Sequence, residues 1–308
     1  MCKRIFTSGI LKKIIFWSVL IAVPAHAVTA FAIWPRMNTD IKFDPAVVLP
    51  IPPVDAAYNA VGTKWVITGL VILGIIGVIL GIRDLIKTKS WLPLFIAASG
   101  VAIAIPEVFV DIVGAVWYPT SPDDIAFTIF GRQMGWFILS GWFGFGSMFC
   151  YLCFKLFDSG KATKWIWFTF FAAWVGDVVL EEIIQNVGGI YIYYGNQPLI
   201  LLWYLPWWWI PCNSGGVFLA AAIAVRYKKF LQGWKALLMF IITPLSMTTC
   251  YGSIALPSWI VVNGAYSYWI TQTAGLATVV LGFVFVGLVI NVFLKRDPLE
   301  LNGTGESA

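Results

Sequence analysis

Charge is what this sequence has least of. Asp, Glu, Lys and Arg make up 11% of its 308 residues, against about 25% in an average soluble domain, and 60% are hydrophobic. A soluble body of this size has no interior large enough for so much apolar surface. That excludes a soluble globular enzyme, a disordered protein and a nucleic-acid binder. Histidine is almost missing as well: the single one, His26, rules out a site of several histidine ligands within one chain. Cysteines number five. Cys150 and Cys153 form a C-x-x-C, but Phe154 follows where a c-type haem site needs His. Inside an apolar run these thiols are expected to pack as small hydrophobes.

What is present in quantity is continuous apolar sequence. The runs are too long for the alternating strands of a membrane barrel and match the ~20 residues that a helix needs to cross a hydrocarbon core. Eight of them, at 14–33, 65–82, 91–118, 127–157, 165–189, 199–225, 236–256 and 267–294, predict an all-α fold: a polytopic transmembrane helical bundle, one domain over 1–296. Lysine and arginine test this. Sixteen of the twenty fall before residue 14, in 83–89, in 155–164, in 226–235 or at 295–296; only Arg36, Lys42, Lys64 and Arg132 fall in the alternate connections. Basic residues collect in cytoplasmic loops, so both termini are expected to be cytoplasmic, as an even number of spans requires. The start also has a secretory-signal look, with a possible cleavage site at Ala25-His26-Ala27 that would leave seven spans. The run continues to Ile33, long enough to span, so an uncleaved helix containing a packed His26 is expected. Residues 34–63, with five prolines, form an outer loop and a candidate lid. Residues 297–308 read as a disordered cytoplasmic tail.

Five carboxylates fall inside these spans: Glu107, Asp111, Asp177, Glu181 and Glu182. An ionised group at the membrane centre costs at least ~2.5 kcal/mol, so such residues face the bundle interior or a wet cavity. Glu107 and Asp111 are four apart and share a helix face, as do Asp177, Glu181 and Gln185. Glu182 is turned from that stripe by about 100°. Glu107 and Glu181 each lie about 16 residues, roughly 24 Å, from the start of an outward-running span, which puts them at one depth. Arg132, expected near the outer end of its span, reaches the same layer. Two acids at one level with a cation beside them suit general acid–base work, since one can be kept protonated and the other ionised.

Pro106 immediately precedes Glu107 and should kink that helix, a break tolerated where it lines a cavity. Pro206 and Pro211 interrupt the 199–225 span around Trp207-Trp208-Trp209, with Asn213 following. Three successive positions cover more than half a helix circumference, so at least one indole should face inward, where its ring can stabilise a cation. The stretch Gly188–Pro198 carries Tyr191, Tyr193 and Tyr194 between glycines and reads as a turn or re-entrant strand at the outer mouth. Gly114–Pro119 has a similar look. Glu107 precedes Gly114 by seven and Glu181 precedes Gly188 by seven, a hint of an internal repeat.

In this order, PEVFVDIVGAVWYP from Pro106, GRQMGWF from Gly131, DVVLEEIIQNVGGIYIYYGNQPL from Asp177 and PWWWIPCN from Pro206 resemble the AveC-like spirocyclase family of bacterial membrane proteins, over about 91–225. The resemblance implies a multi-pass protein of the bacterial inner membrane that closes a dihydroxy-ketone into a spiroketal, in some members with dehydration. The partners would be a lipophilic small molecule and membrane lipids, with no nucleic acid. Expulsion of water from a hemiketal needs an acid, and the attacking hydroxyl needs a base; no cofactor or metal is required. From depth and spacing, Glu107 and Glu181 are the expected acid–base pair. Asp111, Asp177 and Glu182 would tune or position, Arg132 would be the counter-ion, and Trp208, Tyr191 and Asn213 would line the cavity. Three other readings stay open: a membrane cyclase of terpene or carotenoid type, a proton-coupled transporter, and a structural membrane subunit.

Overall fold

The computed structural model describes residues 41–47 and 49–304, together with Gly9, Lys13, Phe16 and Trp17. The expected 14–33 span, His26 and the signal-cleavage question therefore lie outside the described residues, apart from Phe16 and Trp17.

The first long helix, α1, is Ala60–Thr88; the Asn59 side chain caps it by accepting from the Gly62 N–H at 2.9 Å. Its buried stripe is Leu70, Gly74, Gly77 and Gly81, the i, i+4, i+7 spacing of one helix face. A Cβ on Gly81 would lie 2.9 Å from the Cα of Leu94, so glycine permits the close approach of the next helix. The opposite face exposes Ile72, Ile75, Ile76, Ile79, Ile82 and Ile86, an apolar surface suited to lipid rather than water.

Helix α2, Leu92–Ala98, tightens into a 3₁₀ turn at Ser99–Ile103 and continues as α3, Ala104–Gly114. Pro106 lies in the first turn of α3, where its missing N–H and ring disfavour regular α-helical bonding to the preceding turn. Strand β1 is Val116–Trp117. Strands β2, Ile125–Ile129, and β3, Arg132–Gly135, form a hairpin through Phe130 and Gly131, both at positive φ, the two-residue turn that suits strand twist. Helix α4, Trp136–Gly141, passes through a π-helical turn, Trp142–Gly146, into α5, Ser147–Asp158. Then come α6, Thr163–Gly188; strand β4, Ile192–Tyr193; α7, Trp209–Arg226; a 3₁₀ turn at Gly233–Leu238; α8, Met239–Ile254; the short α9, Leu256–Val262; and α10, Tyr268–Val292.

Among the described residues, six stretches are long and apolar enough to cross a membrane: Ala60–Thr88, Leu92–Gly114, Trp136–Asp158, Trp209–Arg226, Gly233–Ile254 and Tyr268–Val292. Helix α6 is 26 residues long but carries Asp177, Glu181 and Glu182, and is not among the six. The protein is thus a mostly helical membrane protein with little sheet. Helix α7 is its centre, buried along almost its whole length and packed against α5, α6, α8 and α10.

The basic connections meet at one end of the bundle. Lys155 pairs with Asp84 at 2.8 Å and Lys228 with Asp158 at 2.8 Å, while the Arg296 guanidinium donates to the carbonyls of Lys161 and Phe157. The two short ribbons lie towards the other end. There Phe43 and Pro50 form an isolated antiparallel bridge, and Tyr58 hydrogen-bonds Asp124. Burial pushes the Asp124 carboxyl above its ordinary value, partly offset by that bond.

Three expectations are corrected. The 127–157 span begins instead with the hairpin, because Ile125–Ile129 is apolar and β-branched enough to pass for helix in a hydropathy window. The 199–225 span becomes helical only at Trp209, so Pro206 precedes the helix and Pro211 sits in its first turn, where proline is tolerated. The tail is not disordered over 297–304. Gly303 and Leu301 carbonyls accept from the Thr163 and Lys164 N–H groups at 3.0 and 2.8 Å, and the Pro298 carbonyl accepts from Trp167 Nε1 at 2.8 Å. The tail satisfies amides that the start of α6 cannot bond internally.

Candidate functional site

Helices α3 and α6 end alike. Asp111 and Gln185 carbonyls accept from the N–H groups of Ala115 and Gly189, both left-handed, at φ 56 and 53°, the usual way to satisfy a helix C-terminus. Each helix is followed by a short strand, and β1 pairs antiparallel with β4, Val116 opposite Tyr193 and Trp117 opposite Ile192. The ribbon ties the two helix ends together and brings their acid stripes to one place. Glu107, Asp111, Asp177 and Glu181 all line a single cavity of about 80 Å³.

The ribbon supplies phenols to that cavity. Tyr191 and Tyr193 both donate to Oε2 of Glu181, Tyr193 at 3.0 Å, and Tyr118 donates to Asp111 Oδ1 at 3.4 Å. From α7, Asn213 Nδ2 donates to Asp177 Oδ2 at 3.2 Å; its own Oδ1 accepts from the Tyr251 hydroxyl of α8. Trp209 and, around the π-helical turn, Trp142 and Phe145 complete the wall. Single π turns are frequent at functional sites. Rings run continuously from Phe137 through Tyr191, Tyr193 and Trp209 to Tyr251, with centroids 5.6–5.7 Å apart.

Gly114 makes the Trp209 position possible, since a Cβ there would lie 2.3 Å from Trp209 Cζ2. Glu107 Oε2, Asp111 Oδ2 and Trp209 Nε1 are buried without a hydrogen-bond partner. Glu107 and Asp111 are only 7% and 3% exposed. Unpaired polar atoms so deep are costly.

Of the expected site residues, Glu107, Asp111, Asp177, Glu181, Tyr191 and Asn213 meet in this cavity. Glu182, Trp208 and Arg132 do not. Glu182 accepts the backbone N–H groups of Trp203, Tyr204 and Leu205 at 3.2–3.3 Å, holding the loop before α7; its 100° offset from the stripe turns it there. Trp208 is fully buried and donates to Gln197 Oε1 at 3.0 Å, leaving Trp209 as the cavity indole.

Arg132, carried by β3 rather than a helix, donates to the Val116 carbonyl at 3.1 Å and the Tyr194 hydroxyl at 2.9 Å. Its guanidinium sits 4.9 Å from the Trp117 ring centroid. It clamps the ribbon and forms no ion pair with the acids among the described residues. Sequence reasoning missed Tyr118, Tyr193 and Tyr251. The first two were visible among the phenols flanking the glycines; Tyr251 carried no signal.

No group of three or more His, Cys, Asp or Glu arranged to hold a metal ion occurs among the described residues. Compared with known protein families, curated proteins and solved structures, the chain matches none.

Proposed function

We propose that this protein is a membrane-embedded, acid–base cyclase of spirocyclase type, acting on a lipophilic dihydroxy-ketone in the inner membrane of a bacterium. The observation that supports it most is the meeting of Glu107 and Glu181, from separate helices, in one aromatic cavity with differently furnished carboxyls. Glu181 is surrounded by donors, two phenols on one oxygen, and is the candidate base. Glu107 has an oxygen with no partner and is the candidate acid.

In the first step Glu107 gives its proton to the hydroxyl of a hemiketal. Water leaves and an oxocarbenium ion remains. The second hydroxyl attacks that carbon and its proton passes to Glu181; release of that proton from Glu181 and reprotonation of Glu107 reset the pair, so the net change is loss of one water. Asp111 and Asp177 lower the energy of the cationic intermediate by charge, and the aromatic walls by their ring faces. Asn213, held by Tyr251, positions Asp177. The cavity, about 80 Å³ and open at its mouth, admits the reacting end of a chain. A whole spiroketal needs the cavity to widen, and the π-helical turn is the irregular part of its wall.

Purified protein in detergent micelles, without any gradient, should convert 1,n-dihydroxy-ketones to products lighter by one water. Failure with a full set of chain lengths would reject the cyclase. A second reading, a proton-coupled carrier, is favoured by the small volume and by a cavity lining that has four acids and no lysine, arginine or histidine. It predicts uptake into proteoliposomes and no conversion in micelles.

A further inference from the structure

The cavity walls carry four carboxyls and no lysine, arginine or histidine. In their ionised forms they would repel a buried anion and attract a cation. Two carboxyl oxygens, Glu107 Oε2 and Asp111 Oδ2, lack hydrogen-bond donors, and one donor, Trp209 Nε1, lacks an acceptor. The missing partner is therefore a cation with N–H groups for the two oxygens and an oxygen atom for the indole. Size narrows it further. About 80 Å³ is roughly half the ~150 Å³ that accommodates benzene in an engineered cavity, which leaves room within the walls for an end group of about three or four heavy atoms, while the open mouth accepts anything longer. The rings of Trp142, Tyr191, Tyr193 and Trp209 line the same space, and aromatic faces attract ammonium groups.

We propose that the cavity is a recognition cage for a small hydroxyalkyl-ammonium group, of the ethanolammonium class. Glu107, in the form that has given up its proton, and Asp111 accept from its N–H groups, and Trp209 donates to its oxygen, a hydroxyl in a free amine and a phosphate-ester oxygen in a lipid headgroup. The inference rests on this cavity being the working site, as the proposed function does, but not on the reaction there. If the protein is a cyclase, the ammonium group takes the place of the oxocarbenium ion and competes with substrate. A primary ammonium is preferred over a quaternary one, because only the former has N–H groups for the unpartnered oxygens.

Purified protein in a non-ionic detergent is titrated with ethanolammonium chloride, and heat and tryptophan fluorescence are recorded. Ethylene glycol serves as the neutral analogue, choline as the quaternary one and sodium chloride as the ionic-strength control. Saturable binding of ethanolammonium is expected, with both analogues at least about tenfold weaker, as charge-assisted hydrogen bonds dictate. Glu107→Gln and Asp111→Asn should each weaken it by a similar factor. Glu182→Gln, which lies outside the cavity, should leave it unchanged and serves as the folding control.

Micelles containing phosphatidylethanolamine are the second arm. Competition by them, with none from phosphatidylcholine, assigns the group to a lipid headgroup; no competition assigns it to a free amine. Equal affinity for ethylene glycol, or binding that survives both carboxyl substitutions, would overturn the cage. Micelle turnover is measured on the same preparation. Binding without turnover removes the cyclase and keeps the cage, and turnover without cation preference does the reverse.

Discussion

Asn213 Nδ2 donates to Asp177 Oδ2 at 3.2 Å, joining the buried central helix to the acid-bearing one across the cavity floor. A carboxylate oxygen is thereby held by an amide that is itself fixed by the Tyr251 hydroxyl. This chain spans α6, α7 and α8 and places Asp177 a turn below Glu181.

Glu107→Gln and Glu181→Gln should each leave a folded, membrane-inserted protein, because Gln keeps the shape of Glu. General acid–base assistance is worth about 10²–10⁴-fold, and each variant should lose turnover in that range. Asp111→Asn should cost less, since Asp111 acts by charge on its neighbours. Full turnover in both Gln variants would take these carboxyls out of the mechanism.

Glu182→Ala should act on stability instead of chemistry. It strips the acceptor from three backbone N–H groups at 203–205, and leaving buried donors unsatisfied costs about 1–3 kcal/mol. Thermal unfolding in micelles should shift down while the per-molecule rate at low temperature holds. An unchanged midpoint would contradict the assigned role.

Gly114→Ala should push Trp209 from the wall, since the new methyl overlaps its ring. Overpacking of this kind costs about 1–3 kcal/mol. Tryptophan emission should change together with turnover. An unaltered spectrum would mean that the indole does not depend on this contact.

Removing residues 297–308 should loosen the start of α6, which relies on the Gly303 and Leu301 carbonyls. Hydrogen exchange at Thr163 and Lys164 should rise while the Asp177 region stays protected. Equal exchange in the full chain and the truncated one would show that the tail does not hold the helix.

Reporter fusions test the orientation. Fusions after Lys87 and Lys229 should read cytoplasmic, and those after Pro122 and Gln197 external, from the partition of lysine and arginine. The reverse pattern would move the acid cavity to the cytoplasmic half of the membrane.

The membrane-spanning helical character is legible in the order of residues alone, because the transfer free energy of an apolar run is a local sum. So is the sharing of a face by Glu107 with Asp111 and by Asp177 with Glu181, because helix geometry fixes the i, i+4 relation. Gly114 and Gly188, each seven residues beyond a glutamate, already marked the two matching helix ends. What those faces meet came from packing between distant segments. A hydropathy window does not tell an apolar hairpin from a helix, so Arg132 moved from a helix to β3 and from the acids to the ribbon. A periodicity fixes faces only once the helix start is known, and the start at Trp209 turned that indole, not Trp208, to the cavity. Glu182 and Tyr251 took their roles from residues 21 and 38 positions away, and such pairings arise from packing that no local pattern encodes.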